Sequence, residues 1–384
     1  MNILDYIDWR GDLSFAQSDF NEVDNLIFSE LVYLELKDLI GRHETVSIAE
    51  IWERYSASGI DQSYMINDPK PLLRKAASCD RFKDIAVSRY REEIDTEKQI
   101  QFSAMTFLIG NDLTYISFSG TDNTIVGWRE DCNFAFLPET PGQVEAAKYV
   151  DMVARNTSGR LIVGGHSKGG NFAVYGAAFC DEDVRENRIV KVYSNDGPGF
   201  NDEIASSEQY LAVLPKTVKI IPDSSLVGIL LSSKAQRTVI KSEEKGVLQH
   251  DPYSWCVLGT RFEKADEQSG TSVFMDETLG RWIDSLSTDN KRILVNTIFD
   301  ALEASGVSTL QEINKGKITT YSAILKAVGE TDSDSKKDVI DIVKKLFAEA
   351  SETAKEQSAD FRQKQMDKLK EKLAEFGFSD KQDT

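Results

Sequence analysis

The stretch from 161 to 170 constrains the fold of this chain most strongly, because it joins three kinds of local structure without a break. The apolar run at 161–163 is typical of a buried strand, and the small and apolar residues after Gly170 are typical of a helix packed closely on a sheet. Between them, residues 165–169 read Gly-His-Ser-Lys-Gly. Glycines on both sides allow a turn in which a larger side chain would clash between strand and helix. The pattern predicts a strand–turn–helix unit that presents the hydroxyl of Ser167 at the end of a sheet.

A Gly-x-Ser-x-Gly turn in this setting is the nucleophile elbow, the motif that exposes a serine for acyl transfer. The sequence therefore predicts that Ser167 is a nucleophile. The alternative interpretation is a glycine-rich turn that only opens an ordinary helix of an α/β protein.

Strand-like and helix-like segments alternate on both sides of this turn, which predicts an α/β fold with a mostly parallel central sheet and helices on both faces. The predicted elements are a hairpin over 100–118, strands at 161–164, 189–193, 217–221 and 255–261, and helices at 141–156 and 202–210.

Helical periodicity dominates both ends of the chain. We expect an N-terminal helical segment over 1–100 packed on the core, the α/β core over 101–290 and a C-terminal helical extension over 291–384. Within the extension, residues 290–304, 307–315 and 318–329 predict short helices, and 336–376 predicts one long helix, partly docked and partly solvated. The apolar stripe of that helix makes it a candidate for self-association.

Charge and hydropathy narrow the classes of partner. The chain has 384 residues, 41% of them hydrophobic, and a formal net charge of −18 at pH 7. A field of that sign repels phosphates, so neither nucleic acid nor an anionic membrane surface is expected as a partner. No signal-peptide pattern stands at the N-terminus, and no apolar run approaches the ~20 residues that span a bilayer. We therefore expect a cytoplasmic protein without a transmembrane segment.

Cysteine and histidine usage argues against a metal centre. The four cysteines lie far apart without Cys-x-x-Cys spacing, which predicts free thiols in a reducing compartment. Only three histidines occur, and none stands near a cysteine at ligand spacing. We expect no metal and no cofactor.

The scarcity of histidines also limits the choice of a general base, which a serine nucleophile needs at neutral pH. His43 lies in the N-terminal helical region and is predicted to be a surface residue. His166 adjoins Ser167 in the turn, so its ring should point away from the hydroxyl and pack under the elbow. His250, on a loop before the last predicted strand, is the predicted base.

The acid that orients this base should follow a strand between Ser167 and His250. Asp223 directly follows the strand at 217–221 and is the preferred candidate. Asp196 follows the preceding strand, but it lies in a glycine–proline loop where aspartate commonly forms a turn. Asp251, next to His250, is expected to be a cap or turn residue.

An oxyanion hole requires two hydrogen-bond donors near the nucleophile. The geometry of the elbow predicts that the backbone N–H of Lys168 is the first donor. The second is predicted at Thr121, in the loop after the strand that ends at Phe118, through its N–H and its hydroxyl.

Short blocks of residues follow one another in order along the chain: Ser119-Gly120-Thr121 with Trp128 and Asp131, then 165–170, 195–199, 221–223 and His250. Together these blocks resemble the class 3, or fungal-type, lipases of the α/β-hydrolase superfamily, over roughly residues 1–290. The resemblance implies an α/β-hydrolase fold and a Ser167–Asp223–His250 triad, with Thr121 and Lys168 at the oxyanion site. Two residues depart from the lipase pattern: Ser119 stands where arginine is common, and Lys168 where an apolar residue is usual. The segment at 5–12 and the Lys-Gly-Gly-Asn at 168–171 resemble a bacterial family of lipase-like proteins.

The function expected from these residues is hydrolysis of carboxylic esters through an acyl-enzyme on Ser167, with a small-molecule ester or a lipid-like compound as substrate. A thioesterase or another acyl-transfer enzyme would use the same triad, since a fold does not determine a substrate. A non-catalytic interaction protein on a hydrolase scaffold is the alternative of a different class.

Overall fold

The structure is a computed structural model, and it describes residues 1–62, 68–122, 124–265 and 285–304 with positions 268, 278, 281 and 282. The chain divides into two compact units. The first comprises Met1–Asp122 and Pro138–Gln268, and the second comprises Asn123–Leu137 and Ser269–Thr384. The helices predicted at 307–315, 318–329 and 336–376, and with them the proposed self-association, lie outside the described residues.

The first unit is built on an eight-stranded sheet whose strand order follows the chain from β1 to β8. The pairs β1–β2, β2–β3 and β3–β4 are antiparallel, whereas all pairs from β4 to β8 are parallel. The prediction of an α/β fold with a mostly parallel sheet is thus confirmed. The strands are β1 (Thr45–Ser47), β2 (Ala86–Asp95), β3 (Ile100–Ile109), β4 (Leu113–Phe118), β5 (Arg160–His166), β6 (Ile189–Asn195), β7 (Thr217–Pro222) and β8 (Arg237–Ile240).

Helices of the first unit precede β1, lie between β1 and β2, and connect the parallel strands. Most begin at a residue whose side chain accepts a hydrogen bond from the first turn, as Thr140 does for α6. The helices of this unit are α1 (Ile3–Arg10), α2 (Glu22–Leu31), α3 (Ile48–Ser58), α4 (Lys70–Ala76), α6 (Pro141–Asn156), α7 (Lys168–Phe179), α8 (Asp202–Ser206) and α9 (Glu208–Val213), while α5 (Ile125–Asn133) and α10 (Thr288–Ala304) belong to the second unit.

Both faces of the sheet are covered by helices, as predicted. Successive side chains of a strand point to opposite faces, and neighbouring residues of β3 contact different helices. Phe107 packs on Phe28 of α2, with ring centroids 4.4 Å apart. The hydroxyl of Thr106 lies 2.9 Å from that of Tyr149 on α6. The site at the ends of the parallel strands is therefore supported by buried layers on both sides.

The N-terminal region is not wholly helical, and the expectation for residues 1–100 is wrong at two strands. β2 pairs with β3 from Ala86 to Asp95, with a bulge between Ser88 and Arg91. Its arginines and glutamates favour helix in isolation, but pairing with a central strand determines the conformation. β1 joins the edge of β2.

The end of the predicted core also differs from expectation. The single strand predicted at 255–261 is instead a two-stranded antiparallel sheet of Val257–Leu258 and Arg261–Phe262. The predicted helix over 202–210 is interrupted at Ser207, which caps α9.

Within the second unit, the structure describes α5, α10 and residues near them. Arg129 of α5 donates a hydrogen bond to the side chain of Asn296 on α10, at 2.9 Å. In neither unit does the described part of the chain contain a helix long and apolar enough to cross a membrane.

Candidate active site

The predicted elbow is present at the junction of β5 and α7. Ser167 lies between the last residue of β5 and the first of α7, with φ 57° and ψ −129°. Its N–H donates to the carbonyl of Asn195 at the end of β6, at 2.9 Å. Its carbonyl accepts from the N–H of Gly170, also at 2.9 Å. The serine is thus held in a conformation that non-glycine residues seldom adopt.

Two glycines make this conformation possible by allowing a close approach of backbones. A Cβ on Gly165 would lie 2.3 Å from the carbonyl carbon of Gly169. A Cβ on Gly169 would lie 2.1 Å from the carbonyl oxygen of Phe118. The spacing of the motif therefore has a steric cause in this chain.

His250 approaches the serine from the loop after β8. It ends a 3₁₀ turn, Gly246–His250, and its Nε2 lies 2.9 Å from the Oγ of Ser167. The side chain is 28% exposed, so the site is open to solvent on one side. The residue predicted as the base is within hydrogen-bond distance of the residue predicted as the nucleophile.

The carboxylate behind His250 belongs to Asp196. Its Oδ2 lies 2.7 Å from Nδ1 of His250, and its side chain is fully buried. The other oxygen, Oδ1, accepts from the N–H of Gly228 at 3.1 Å and from the hydroxyl of Ser225. A Cβ on Gly228 would lie 2.3 Å from that oxygen, so only glycine fits there. The sequence alone singles out neither Ser225 nor Gly228, since the two carry no signal until the fold places them beside Asp196.

The prediction that Asp223 is the acid partner of His250 is wrong. Asp223 accepts from the side-chain amide of Gln249 at 2.8 Å, and the N–H of Ser224 donates to that same amide group at 2.7 Å. Asp223 thus fixes the residue before His250 rather than the imidazole.

Strand register explains why the other candidate is the partner. Asn195 of β6 is the register partner of His166 in β5, so Asp196 comes level with Ser167. β7 pairs with β6 and not with β5, so its end lies one strand further from the serine. Asp251 behaves as expected, because its side chain accepts from the N–H of Tyr253 and caps a short turn.

His166 is buried beneath the elbow, where the sequence predicts it. Its Nε2 lies 3.0 Å from the carbonyl oxygen of His250, and the two rings are 4.7 Å apart. Because a carbonyl only accepts, Nε2 carries the proton. Nδ1 lies 3.3 Å from the hydroxyl of Tyr33 and 3.4 Å from Oε1 of Glu30, both at or near the end of α2. Burial holds the pKa of His166 well below its ordinary value, so the ring is a neutral donor to the His250 loop.

The loop predicted to supply the second oxyanion donor borders Ser167. A Cβ on Gly120 would lie 3.0 Å from the Cβ of Ser167, which places Gly120, the residue before Thr121, against the serine. The N–H of Lys168 is the first of α7, where backbone donors have no acceptor within the helix. The oxyanion roles of Thr121 and Lys168 remain predictions.

Cysteines and acidic residues form no second centre in the described ranges. The four cysteines, Cys79, Cys132, Cys180 and Cys256, are free. Burial raises the pKa of the thiols of Cys132 and Cys180 to about 12. Within the described part of the chain, no group of three or more histidine, cysteine, aspartate or glutamate side chains is placed to hold a metal ion.

Residues 76–300 match the model of the protein family described as Mbeg1-like. This range covers more than half of the chain and includes Ser167, Asp196 and His250. A search of curated proteins found no match.

Solved structures similar to this chain include lipases at low identity. M37 lipase is 15% identical with a TM-score of 0.35, and the match covers 55% of this chain and 70% of that one. The lipase of Rhizomucor miehei, solved in its native propeptide complex, is 12% identical with a TM-score of 0.36, covering 62% of this chain and 80% of that one. A deletion mutant of the same complex is 13% identical with a TM-score of 0.36, covering 62% and 78%. At this degree of overlap, these likenesses carry no conclusion about the site of this chain.

Proposed function

The chain belongs to the Mbeg1-like family, and from that premise we propose that it is a serine hydrolase of carboxylic esters, acting through an acyl-enzyme on Ser167. One observation carries the proposal. A continuous hydrogen-bonded series runs from the Oγ of Ser167 through both nitrogens of His250 to Asp196, with steps of 2.9 and 2.7 Å. This is the arrangement in which an imidazole removes the serine proton while a buried carboxylate orients the ring.

The geometry supports an acylation half-reaction of familiar form. The Oγ of Ser167 bonds to the ester carbonyl carbon as its proton passes to Nε2 of His250. When the tetrahedral intermediate collapses, the bond from carbon to the alcohol oxygen breaks, and that oxygen takes the proton from Nε2. The alcohol leaves, and the acyl group remains on Ser167.

Deacylation uses the same groups in reverse. Water attacks the acyl carbon and gives its proton to Nε2 of His250. The bond to Oγ of Ser167 then breaks, and Oγ recovers that proton. The carboxylic acid is released, and each residue returns to its starting state.

Asp196 orients the imidazole of His250 and places a negative charge beside it. It accepts from Nδ1–H, which leaves Nε2 unprotonated and directed at Ser167 in the resting state. Its other oxygen is bound by Gly228 and Ser225, so the buried carboxylate is stabilised as an anion. We assign Asp196 as the acid of the proposed triad, in place of Asp223.

The proposal extends to the substrate class only as far as a small-molecule or lipid-like ester. Thioesters would react by the same steps with a thiol as leaving group. A non-catalytic interaction protein would not need the three groups in this alignment, and the alignment favours the enzyme.

Hydrolysis assays on the full chain test the proposal. We expect turnover of p-nitrophenyl esters of short, medium or long acyl chains, or of the matched acyl thioesters, and its loss in Ser167→Ala and His250→Ala. His43→Ala replaces an exposed histidine and serves as the matched control. Hydrolysis that persists in Ser167→Ala would refute the nucleophile. A parent protein that neither hydrolyses these compounds nor reacts with a fluorophosphonate would favour the interaction protein.

A further inference from the structure

The side chain of Lys168 is buried although it follows the nucleophile directly. Only 1% of the residue is exposed. A buried ammonium loses its hydration, so it is retained only where polar groups replace the lost water. Polar groups of the protein must therefore surround the Nζ of Lys168.

Gln101, at the start of β3, supplies two of them. Nζ of Lys168 donates to the backbone carbonyl of Gln101 at 3.0 Å and to its side-chain oxygen Oε1. The Phe172 ring, one turn along α7, lies 5.6 Å from Nζ. The cation is thus directed into the protein at the edge of the elbow and toward β3.

The contact with Lys168 orients the side-chain amide of Gln101. An ammonium group only donates, so Oε1 must face it and Nε2 must face the opposite way. On that side Nε2 lies 3.4 Å from the carbonyl oxygen of Gly120. The hydroxyl of Ser119 donates to the same oxygen at 3.0 Å.

Anchoring this carbonyl fixes the direction of the next N–H. The peptide between Gly120 and Thr121 is planar and trans, so its C=O and N–H point in opposite directions. Gly120, from which this peptide starts, lies against Ser167, because a Cβ on Gly120 would be 3.0 Å from the Cβ of Ser167. The N–H whose direction is fixed is the predicted second oxyanion donor.

We infer that Lys168 is a positioning residue as well as an oxyanion donor: its side chain, acting through Gln101 and the Gly120 carbonyl, holds the Thr121 N–H in the oxyanion hole. The inference rests on the proposed function. It accounts for the burial of a lysine directly after Ser167. It also accounts for Ser119, whose hydroxyl binds the same carbonyl.

The most selective variant is Gln101→Glu. A carboxylate at this position still accepts from Lys168, so the buried cation keeps its partner. It has no hydrogen to donate to the Gly120 carbonyl, and its charge repels that oxygen. Loss of a whole oxyanion donor costs about 10²–10³ in kcat; for a misdirected donor we expect a fall of about 10- to 100-fold with KM nearly unchanged.

Lys168→Met is the second variant. It tests the same series of contacts, which runs from Lys168 through Gln101 to the Gly120 carbonyl, at its first residue. It should lower kcat by a similar factor, and the double variant Lys168→Met with Gln101→Glu should lower it no further than the worse single variant. Lys219→Met is the matched control, since it removes a buried lysine from β7, a strand that β6 separates from β5.

A tetrahedral analogue separates positioning from general destabilisation. The Oγ of Ser167 adds to the carbonyl carbon of a trifluoromethyl ketone, and the adduct carries an oxyanion. The affinity for this ketone should therefore fall in Gln101→Glu by the same factor as kcat/KM. The thermal unfolding temperature of Gln101→Glu should stay near that of the control variant. A folded Gln101→Glu with the parent's kcat would overturn the inference, as would a rise in KM alone. An inactive parent would overturn the proposed function instead.

Discussion

The backbone of Ser167 is the most constrained feature of the site at the scale of single residues. Its φ of 57° with ψ of −129° lies outside the regions that L-residues commonly occupy. Asp196, its partner through His250, also has a positive φ, at 47°. Conformations of this kind cost on the order of 1–3 kcal/mol each and persist where surrounding packing enforces them. Both occur here at residues of the proposed triad.

This strain predicts an unusual order of stability among variants at 167. Ser167→Ala and Ser167→Gly both remove the hydroxyl and its contact with His250, but only glycine adopts a positive φ without steric cost. After allowing for the greater freedom of glycine in the unfolded chain, we expect Ser167→Gly to be more stable than Ser167→Ala by about 1 kcal/mol. Urea unfolding of both proteins measures the difference. Equal stabilities, or a less stable glycine variant, would mean that the serine is not strained.

At the scale of elements, β5 with α7 could be predicted from sequence alone. The apolar run and the glycine spacing are local signals, and the close contacts of Gly165 and Gly169 are what that spacing implies. The pairing of Ser167 with His250 follows from the elbow and the scarcity of histidines. The helix predicted at 141–156 is α6 with the same bounds.

The carboxylate that contacts His250 could not be predicted, because it depends on which strand end lies beside Ser167. Asp196 and Asp223 each follow a parallel strand, and the sequence alone favours Asp223 because Asp196 lies among turn residues. Only the pairing of β5 with β6, in the register of His166 with Asn195, brings Asp196 to the imidazole. Register is a property of paired strands and is not encoded in either strand alone.

β2 illustrates the same limit in secondary structure. Its residues Arg89, Arg91, Glu92 and Glu93 have side chains that favour helices when isolated. The strand forms because its apolar residues, Val87 and Tyr90 among them, are buried against the N-terminal helices. Tertiary packing overrides local preference here.

At the scale of the first unit as a whole, the N-terminal helices are part of the core that supports the site. α2 supplies Phe28 to one face of the sheet and Glu30 to the pocket of His166. It is held in turn by Arg81, whose guanidinium donates to both oxygens of Asp24 at 2.8 and 2.5 Å. Both side chains of this pair are fully buried. Removal of either partner should therefore disturb the site as well as the fold.

Arg81→Met is predicted to destabilise the protein strongly. It leaves the carboxylate of Asp24 buried without its cation, and the carbonyls of Leu13, Ser18 and Asp19 also lose a donor. A loss of about 3–5 kcal/mol in unfolding free energy is expected from the unpaired charge. Lys83→Met breaks the nearby exposed pair with Asp80 and should change stability little. Equal effects of the two substitutions in chemical denaturation would contradict this role of the buried pair.

The central claim is that Ser167, His250 and Asp196 act as one catalytic unit, and the rate of fluorophosphonate labelling tests it without knowledge of the substrate. Intact-mass measurement would follow labelling in the parent, Asp196→Asn and Asp223→Asn, with the modified residue mapped by peptide digestion. We predict labelling of Ser167 in the parent, slowing by about 10³- to 10⁴-fold in Asp196→Asn, and a rate close to the parent's in Asp223→Asn. Slow labelling in Asp223→Asn with a normal rate in Asp196→Asn would contradict the account.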